Sequence, residues 1–218
     1  MLSVTQNRLL EKQFARDAGL PTTEFARLTN ADDLARVAKD PGFPAILKTV
    51  HGGYDGKGQW HADSIEQARE ALTAARSAEL IFEKKVRLAC ELSVIATRNA
   101  RDEIVTYPVA ENTHDRGILT MTVAPARIEP NVAEKAQAMA AVVGRRLGIV
   151  GAYCVEFFVS TDGELLLNEI APRPHNSGHY TIDVTPCSQY EQHIRAICEL
   201  PLSSPQLFAN AIMVNVLG

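Results

Sequence analysis

The stretch Ala152-Tyr-Cys-Val-Glu-Phe-Phe-Val-Ser-Thr-Asp-Gly-Glu-Leu-Leu-Leu-Asn-Glu-Ile-Ala-Pro-Arg-Pro-His-Asn-Ser-Gly-His179 carries two apolar, β-favouring runs on either side of Asp162-Gly163. An Asp-Gly pair between such runs is the strongest short-range signal for a β-hairpin. With Asp162 and Gly163 as the two loop residues, Thr161 pairs with Glu164, and counting down the ladder sets Glu156 opposite Glu169. Directly opposed side chains have Cβ atoms roughly 4.5–5.5 Å apart, and like charges there are destabilising. Two readings stay open. Either a divalent cation such as Mg²⁺ lies between the carboxylates, shared with a nucleotide's phosphates and with Asn168 adding an oxygen, or one glutamate is solvated on an open sheet face. A one-residue slip in register would separate the pair.

Directly after Glu169, the residues Arg173, His175, Asn176, Ser177 and His179 set a fork-shaped donor, two imidazoles, an amide and a hydroxyl beside the two carboxylates. That is an anion-binding set on a loop held by rigid strands, where sites are commonly built. A second unusual stretch is His51-Gly-Gly-Tyr-Asp-Gly-Lys-Gly-Gln-Trp60. Its glycines let backbone N–H groups turn toward a bound anion, and Lys57 adds a point charge; a tight turn between two strands is the alternative. Lys48 interrupts the apolar strand Pro44 to Thr49, where a lysine needs solvent or an anionic partner. In Leu80-Ile-Phe-Glu-Lys-Lys-Val86 the chain leaving a strand can offer backbone groups to an adenine edge, and Glu91 can accept from ribose hydroxyls. His114, in Asn112-Thr-His-Asp-Arg-Gly-Ile118, reads equally as a ligand contact or a loop histidine, and an arginine on a helix, such as Arg8, is usually a surface residue.

Around these stretches the chain mixes helices and strands. Thr5 to Ala18 reads as a helix with Leu9, Leu10, Gln13 and Phe14 on its apolar face and Gly19 as its stop. A helix follows Thr29, with Asp32 and Asp33 in its first turn and Leu34, Val37 and Ala38 as its stripe. Ser64-x-x-Gln67 is a capping box opening a helix to about Ser77. Strands are expected at 43–50, 80–86, 91–97 and 103–109, an alanine-rich helix at 132–147 after Pro130-Asn131, an irregular segment at 172–186 and a helix at 188–199. Helices mixed with antiparallel hairpins favour an α+β fold over a doubly wound parallel sheet. No G-x-G-x-x-G follows a strand and no Walker A lysine motif occurs, which argues against a Rossmann or P-loop site.

Composition narrows the class. The 218 residues, 46% hydrophobic and 22% charged, are those of an ordinary globular protein large enough for a sizeable core. The net charge of −4 offers no basic stripe for nucleic acid. No apolar run is long enough to span a membrane and no signal peptide is visible, so a cytoplasmic protein is expected. Cys90, Cys154, Cys187 and Cys198 have neither zinc nor disulfide spacing, and three of the four lie in apolar surroundings that suit buried thiols.

Asn7-Arg-Leu-Leu-Glu-Lys-Gln with Gly19-Leu-Pro-Thr, the glycine loop from Gly52 to Gln59, Asn112 to Leu119, and Asn168 to His179 together resemble the ATP-grasp superfamily. Within it they resemble the enzymes that carboxylate aminoimidazole ribonucleotide in purine biosynthesis. The resemblance implies two α+β subdomains with antiparallel sheets gripping ATP, residues 1–82 carrying the phosphate lid and 83–218 the metal site. It implies nucleotide contacts at Arg8, Lys48, Gly53, Tyr54, Asp55, Gly56, Lys57, Gly58, Gln59, Glu83, Lys84, Lys85, Val86, Glu91, His114, Asn168 and Glu169, with Mg²⁺ on Glu156 and Glu169. Tyr54, Asp55, Arg173, His175, Asn176 and Ser177 fall where the carboxylation would take place. The family phosphorylates bicarbonate to carboxyphosphate and then carboxylates the exocyclic amine; a homodimer is a possible assembly. Its members begin and end with further domains to which this chain has no counterpart, so the chain is expected to be the catalytic core. A nucleotide-binding module without turnover and another ATP-grasp carboxylate–amine ligase are the alternatives, the His175-to-His179 run favouring the bicarbonate enzyme.

Overall fold

The structure, a computed structural model, describes residues 1–52, 58–76 and 79–216. The chain divides into two compact units, one of Ser3–Arg87 with Arg116–Ile118, the other of Met1–Leu2, Leu88–Asp115 and Leu119–Gly218.

In the first unit a short helical turn, α1 (Leu2–Thr5), precedes α2 (Arg8–Asp17). The expected single helix from Thr5 is broken because Asn7 acts as N-cap, its side chain accepting the Leu10 amide at 3.0 Å. Gly19, at φ +69°, ends α2 as expected. Then come β1 (Phe25–Leu28), α3 (Leu34–Val37), β2 (Ala45–Thr49), β3 (Gln59–Ala62), α4 (Ile65–Ala74) and β4 (Leu80–Lys84). Asn30 caps a 3-10 turn, Ala31–Asp33, that leads into α3, and Ser64 caps α4. The sheet runs β1-β4-β2-β3, with each pairing antiparallel. The boundary expected at 82/83 runs through β4, which is paired on both sides.

Strand alternation splits this sheet into two faces. Leu28, Ala45, Leu47, Ala62, Leu80 and Phe82 pack on Leu34, Val37, Ala68 and Ala71 of α3 and α4. The other face presents Phe25, Val50 and Ile81 to Leu9 of α2. Lys48 lies opposite Ile81, and Glu83 opposite both Ile46 and Phe25, so both charged residues share the α2 face. The buried positions of α2 are Leu9, Glu11, Lys12 and Ala15. The expected face of Leu9, Leu10, Gln13 and Phe14 is therefore rotated, and Leu10 is 47% exposed. Apolar periodicity misplaces it because two charged residues of α2 are buried.

The second unit contains β5 (Leu88–Arg98), β6 (Ile104–Thr106), β7 (Ala110–Asp115), β8 (Ile118–Ala124), α5 (Pro130–Arg146), β9 (Gly151–Ser160), β10 (Leu165–Ala171), α6 (Thr181–Val184), α7 (Gln189–Ile197) and β11 (Ala211–Val214). Its sheet runs β10-β9-β5-β7-β8-β11, with β6 on β5. α5 opens with Pro130 at its first turn, where the missing N–H costs nothing. It is tied to the sheet by Tyr153 Oη, which donates to the Ala140 carbonyl at 3.0 Å. α7 is tied to β9 by His193 Nδ1, which accepts the Ala152 amide at 3.0 Å. The segment expected to be irregular holds a 3-10 turn at Asn176–Gly178 and α6, both stabilised by local side-chain bonds such as Thr181 Oγ1 to the Gly178 carbonyl. Three of the four cysteines are expected to be buried; two are, Cys154 and Cys187, whereas Cys90 is intermediate and Cys198 exposed.

Candidate functional site

The β9–β10 hairpin brings Glu156 directly opposite Glu169. The turn is longer than the two-residue loop expected: Ser160 and Glu164 pair, and Gly163 N–H donates to the Ser160 carbonyl with Gly163 at φ +83°. Three residues thus form the loop, the glycine taking the left-handed position that follows such a turn. The ladder from there pairs Leu165 with Val159 and Leu167 with Phe157, and a bulge between Leu167 and Glu169 restores the register. At a bulge two residues oppose one, so Asn168 and Glu169 both oppose Glu156.

The same sheet face carries the rest of the cluster. Ser93 pairs with Glu156, and Glu91 with Phe158 on one side and Asn112 on the other. His114, two residues on from Asn112, lies on strand β7 rather than in a loop, and its Nδ1 is 2.9 Å from Glu91 Oε2. β7 and β8 meet at Arg116 and Gly117, with φ of +50° and +82°. His175 closes over this face: its Nε2 is 3.5 Å from Glu156 Oε1, its Nδ1 accepts the Ser177 amide, and its backbone is clamped by Gln189, which accepts the His175 amide at 2.9 Å and donates to its carbonyl at 2.7 Å. With Nδ1 an acceptor, the ring proton of the neutral imidazole sits on Nε2, facing Glu156.

The electrostatics follow from burial and crowding. Burial, then the facing Glu169, push the Glu156 carboxyl up to about 7, against the pull of His114 and Arg173. Burial, then the Arg173 charge, push His175 down to about 4, so it is neutral at physiological pH. The Glu91 contact outweighs burial at His114 and raises it, favouring the imidazolium. Two carboxylates at one ladder position call for a cation, and the surroundings hold buried polar atoms without hydrogen-bond partners, Ser93 Oγ and Asn176 Oδ1. Among the described residues no group of three or more His, Cys, Asp or Glu is arranged to hold a metal. Two carboxylates are what Mg²⁺ takes when nucleotide phosphates and water complete its shell, so Glu156 and Glu169 fit that ion.

In the first unit, Lys48 Nζ donates to Glu83 Oε2 at 2.9 Å. Burial would raise the Glu83 carboxyl, but the Lys48, Lys12 and Arg8 charges together hold it down at about 2. Arg8 is the first residue of α2, its amide bonded to the Val50 carbonyl at 3.0 Å. Gly58, at φ +69°, packs so tightly on Thr49 that a Cβ would lie 2.8 Å from its hydroxyl, and Gln59 pairs with Lys48. Gly53, Tyr54, Asp55, Gly56 and Lys57 lie outside the described residues. Lys84 is engaged by the Phe43 carbonyl at 2.7 Å, and the Lys85 amide by that of Pro44 at 2.9 Å; Lys85 is exposed and Val86 half-buried. Arg173 is exposed. Lys12, Ser93 and Asn112 join these clusters without having been singled out in the sequence. Asn112 accepts from the Thr122 hydroxyl at 2.9 Å; strand alternation from Glu91 and His114 would have found it.

One antiparallel sheet thus carries the opposed glutamates and the other a half-buried lysine paired with a buried glutamate. The ATP-grasp domain pattern matches residues 13–190, and the chain belongs to that family. The N5-carboxyaminoimidazole ribonucleotide synthase of Bacillus subtilis (strain 168) is 43% identical over 218 residues, which are the whole of this chain and 57% of the relative. A crystal structure of an N5-carboxyaminoimidazole ribonucleotide synthetase in its ADP complex superposes with a TM-score of 0.94 at 46% identity, covering 99% of this chain and 57% of that one. The Aspergillus clavatus N5-carboxyaminoimidazole synthase, solved with ADP and 5-aminoimidazole ribonucleotide, matches with a TM-score of 0.92 at 33% identity over 100% of this chain and 57% of that one. The chain thus spans a little over half the length of these relatives.

Proposed function

We propose that the chain serves the ATP-dependent carboxylation of aminoimidazole ribonucleotide by bicarbonate, yielding the N5-carboxy product, ADP and phosphate. The observation that carries the reading is the Glu156–Glu169 opposition, in a chain whose whole length aligns with 57% of a synthase of that name. Bicarbonate oxygen attacks the γ-phosphorus of ATP and expels ADP; the exocyclic amine then attacks the carbonyl carbon of carboxyphosphate, expels phosphate and loses a proton. Phosphoryl transfer asks the protein mainly for positioning and for cations against developing charge. Lys48 and Arg8 supply fixed cations for the phosphates, and Lys57, by resemblance, a third. Glu156 and Glu169 would hold Mg²⁺, which when bound neutralises phosphate charge and orients the γ-phosphate. Glu91, held against His114 at 2.9 Å, would accept from ribose hydroxyls. His175 keeps a proton on Nε2 beside Glu156, and Arg173, Asn176 and Ser177 present donors and an unmet acceptor next to it, as bicarbonate and an amine require. No helix among the described residues is long and apolar enough to cross a membrane; four cysteines outside any disulfide fit a reducing cytoplasm.

The test is ADP release from ATP measured with and without bicarbonate, then with aminoimidazole ribonucleotide added. ADP release that depends on bicarbonate supports the reading. ATP binding with no ADP formed on prolonged incubation identifies a binding module, and ADP formed only with another carboxylate identifies a different ligase.

A further inference from the structure

The Asn7-to-Gln13 stretch carries a buried lysine beside the Glu83 cluster. Lys12 is 1% exposed, among the most buried large side chains of the protein, although lysine is almost never fully buried unless paired. It lies on the α2 face that packs on the small sheet, one turn from Arg8 and three residues from Leu9, which sits in the apolar cluster with Val50 and Ile81. Like charges four residues apart on a helix repel, so Arg8 and Lys12 need an anion near them. Glu83 is that anion: it is 3% exposed on the facing side of β4, and both cations act on it. Glu83 also accepts from Lys48 Nζ at 2.9 Å, and the Lys48 side chain is 13% exposed where that of Glu83 is 4%.

We infer that Lys12 is a positioning residue for nucleotide binding: it balances the buried Glu83 carboxylate, which in turn ties the Lys48 ammonium in the place where it meets the phosphates. This rests on the proposal that Lys48 contacts the nucleotide. Without Lys12, Glu83 loses one of the charges that keep it ionised inside the fold, and a carboxyl that takes up a proton loses the ion pair that holds Lys48. The chain from helix to strand to ligand is what sets Lys12 apart from a merely filled core position. Glu11, its neighbour, is also buried on α2, three residues on from Arg8.

The experiment is calorimetric titration of the full chain with ADP, for the wild type, Lys48→Met, Lys12→Met, Lys12→Arg, Glu83→Gln and the Lys12→Met/Glu83→Gln pair. Lys12→Met is expected to weaken ADP binding about tenfold, by analogy with the loss seen when the partner that orients a metal ligand is removed, and Lys12→Arg to recover most of it. In the Glu83→Gln background the same Lys12→Met change is expected to cost less than about twofold, because residues that act through one another are not additive. Equal losses in both backgrounds, or an unchanged affinity in Lys12→Met, would overturn the inference while leaving Lys48 its role. If Lys48→Met binds ADP like the wild type, the reading of Lys48 falls and the inference with it. Should Lys12→Met fail to fold, the double variant is compared with Glu83→Gln: equal stability shows that Lys12 acts through Glu83, and a double variant less stable than Glu83→Gln shows that it does not.

Discussion

Glu156 and Glu169 oppose each other across β9 and β10 because two departures from an ideal hairpin cancel. The turn carries one residue more than the Asp-Gly signal promises, and the bulge at Asn168 takes up the difference. The bulge also sets two oxygen-bearing side chains, those of Asn168 and Glu169, against the single Glu156.

Deleting Asn168 should therefore spare the carboxylate pair. A regular ladder continuing from Leu167–Phe157 still pairs the next residue, now Glu169, with Glu156. The deletion variant is expected to fold and to bind Mg-ADP more weakly than the wild type but more tightly than Glu169→Gln. Calorimetry on the three proteins checks the order, and a deletion variant weaker than Glu169→Gln contradicts it.

The crowded cluster sets the pH dependence of stability through two opposing groups. Glu156 is raised from 4.5 to about 7, so between those values the native chain holds a proton that the unfolded chain has lost, and its contribution to stability falls as pH rises. His175 is lowered from 6.5 to about 4, so between those values the unfolded chain holds the extra proton, and its contribution grows as pH rises. In the overlap the two slopes offset. Measured against wild type without divalent cations, His175→Gln should lose Tm progressively from about pH 5 to pH 6.5, and Glu169→Gln should gain it, each slope bounded by about 1.4 kcal/mol per pH unit. Parallel Tm profiles for all three proteins would show that neither group titrates as described.

Glu83 should be costly to neutralise. Glu83→Gln leaves Lys48 and Lys12 facing an amide inside the fold, and breaking a buried pair by removing one partner destabilises by about 3–5 kcal/mol. Because the Glu83 carboxyl is held at about 2, its contribution is complete above 4.5 and fades as pH falls toward 2. Chemical denaturation near pH 7 should show the full gap between variant and wild type, narrowing below about pH 4.5. A gap under about 1 kcal/mol at neutral pH would mean the pair is not desolvated.

Much of this was legible in the sequence, and the rest was hidden for identifiable reasons. Local chemistry marked the hairpin, Gly19 and the Ser64 cap, since each depends on residues a few positions apart. The bulge at Asn168 was hidden because Leu-Leu-Leu-Asn-Glu alternates no differently with or without it. His114 stayed open between a ligand contact and a loop histidine because Arg116-Gly117 turns the chain with both residues at positive φ, and arginine is not a residue that announces such a turn. Short strands such as β1 and β3 carry too few residues for a period to show. Lys12 lay outside the expected face of Leu9, Leu10, Gln13 and Phe14 because its burial depends on Glu83, distant in sequence, and periodicity cannot report a partner.

The most direct test of the paired glutamates is ADP affinity with and without Mg²⁺, measured on the wild type and on Glu169→Gln. Mg²⁺ should tighten ADP binding to the wild type by about tenfold or more and change it little in the variant, since one or two carboxylates with the phosphates make up the ion's usual shell. An equal Mg²⁺ effect in both proteins would contradict the assignment of the ion to Glu156 and Glu169.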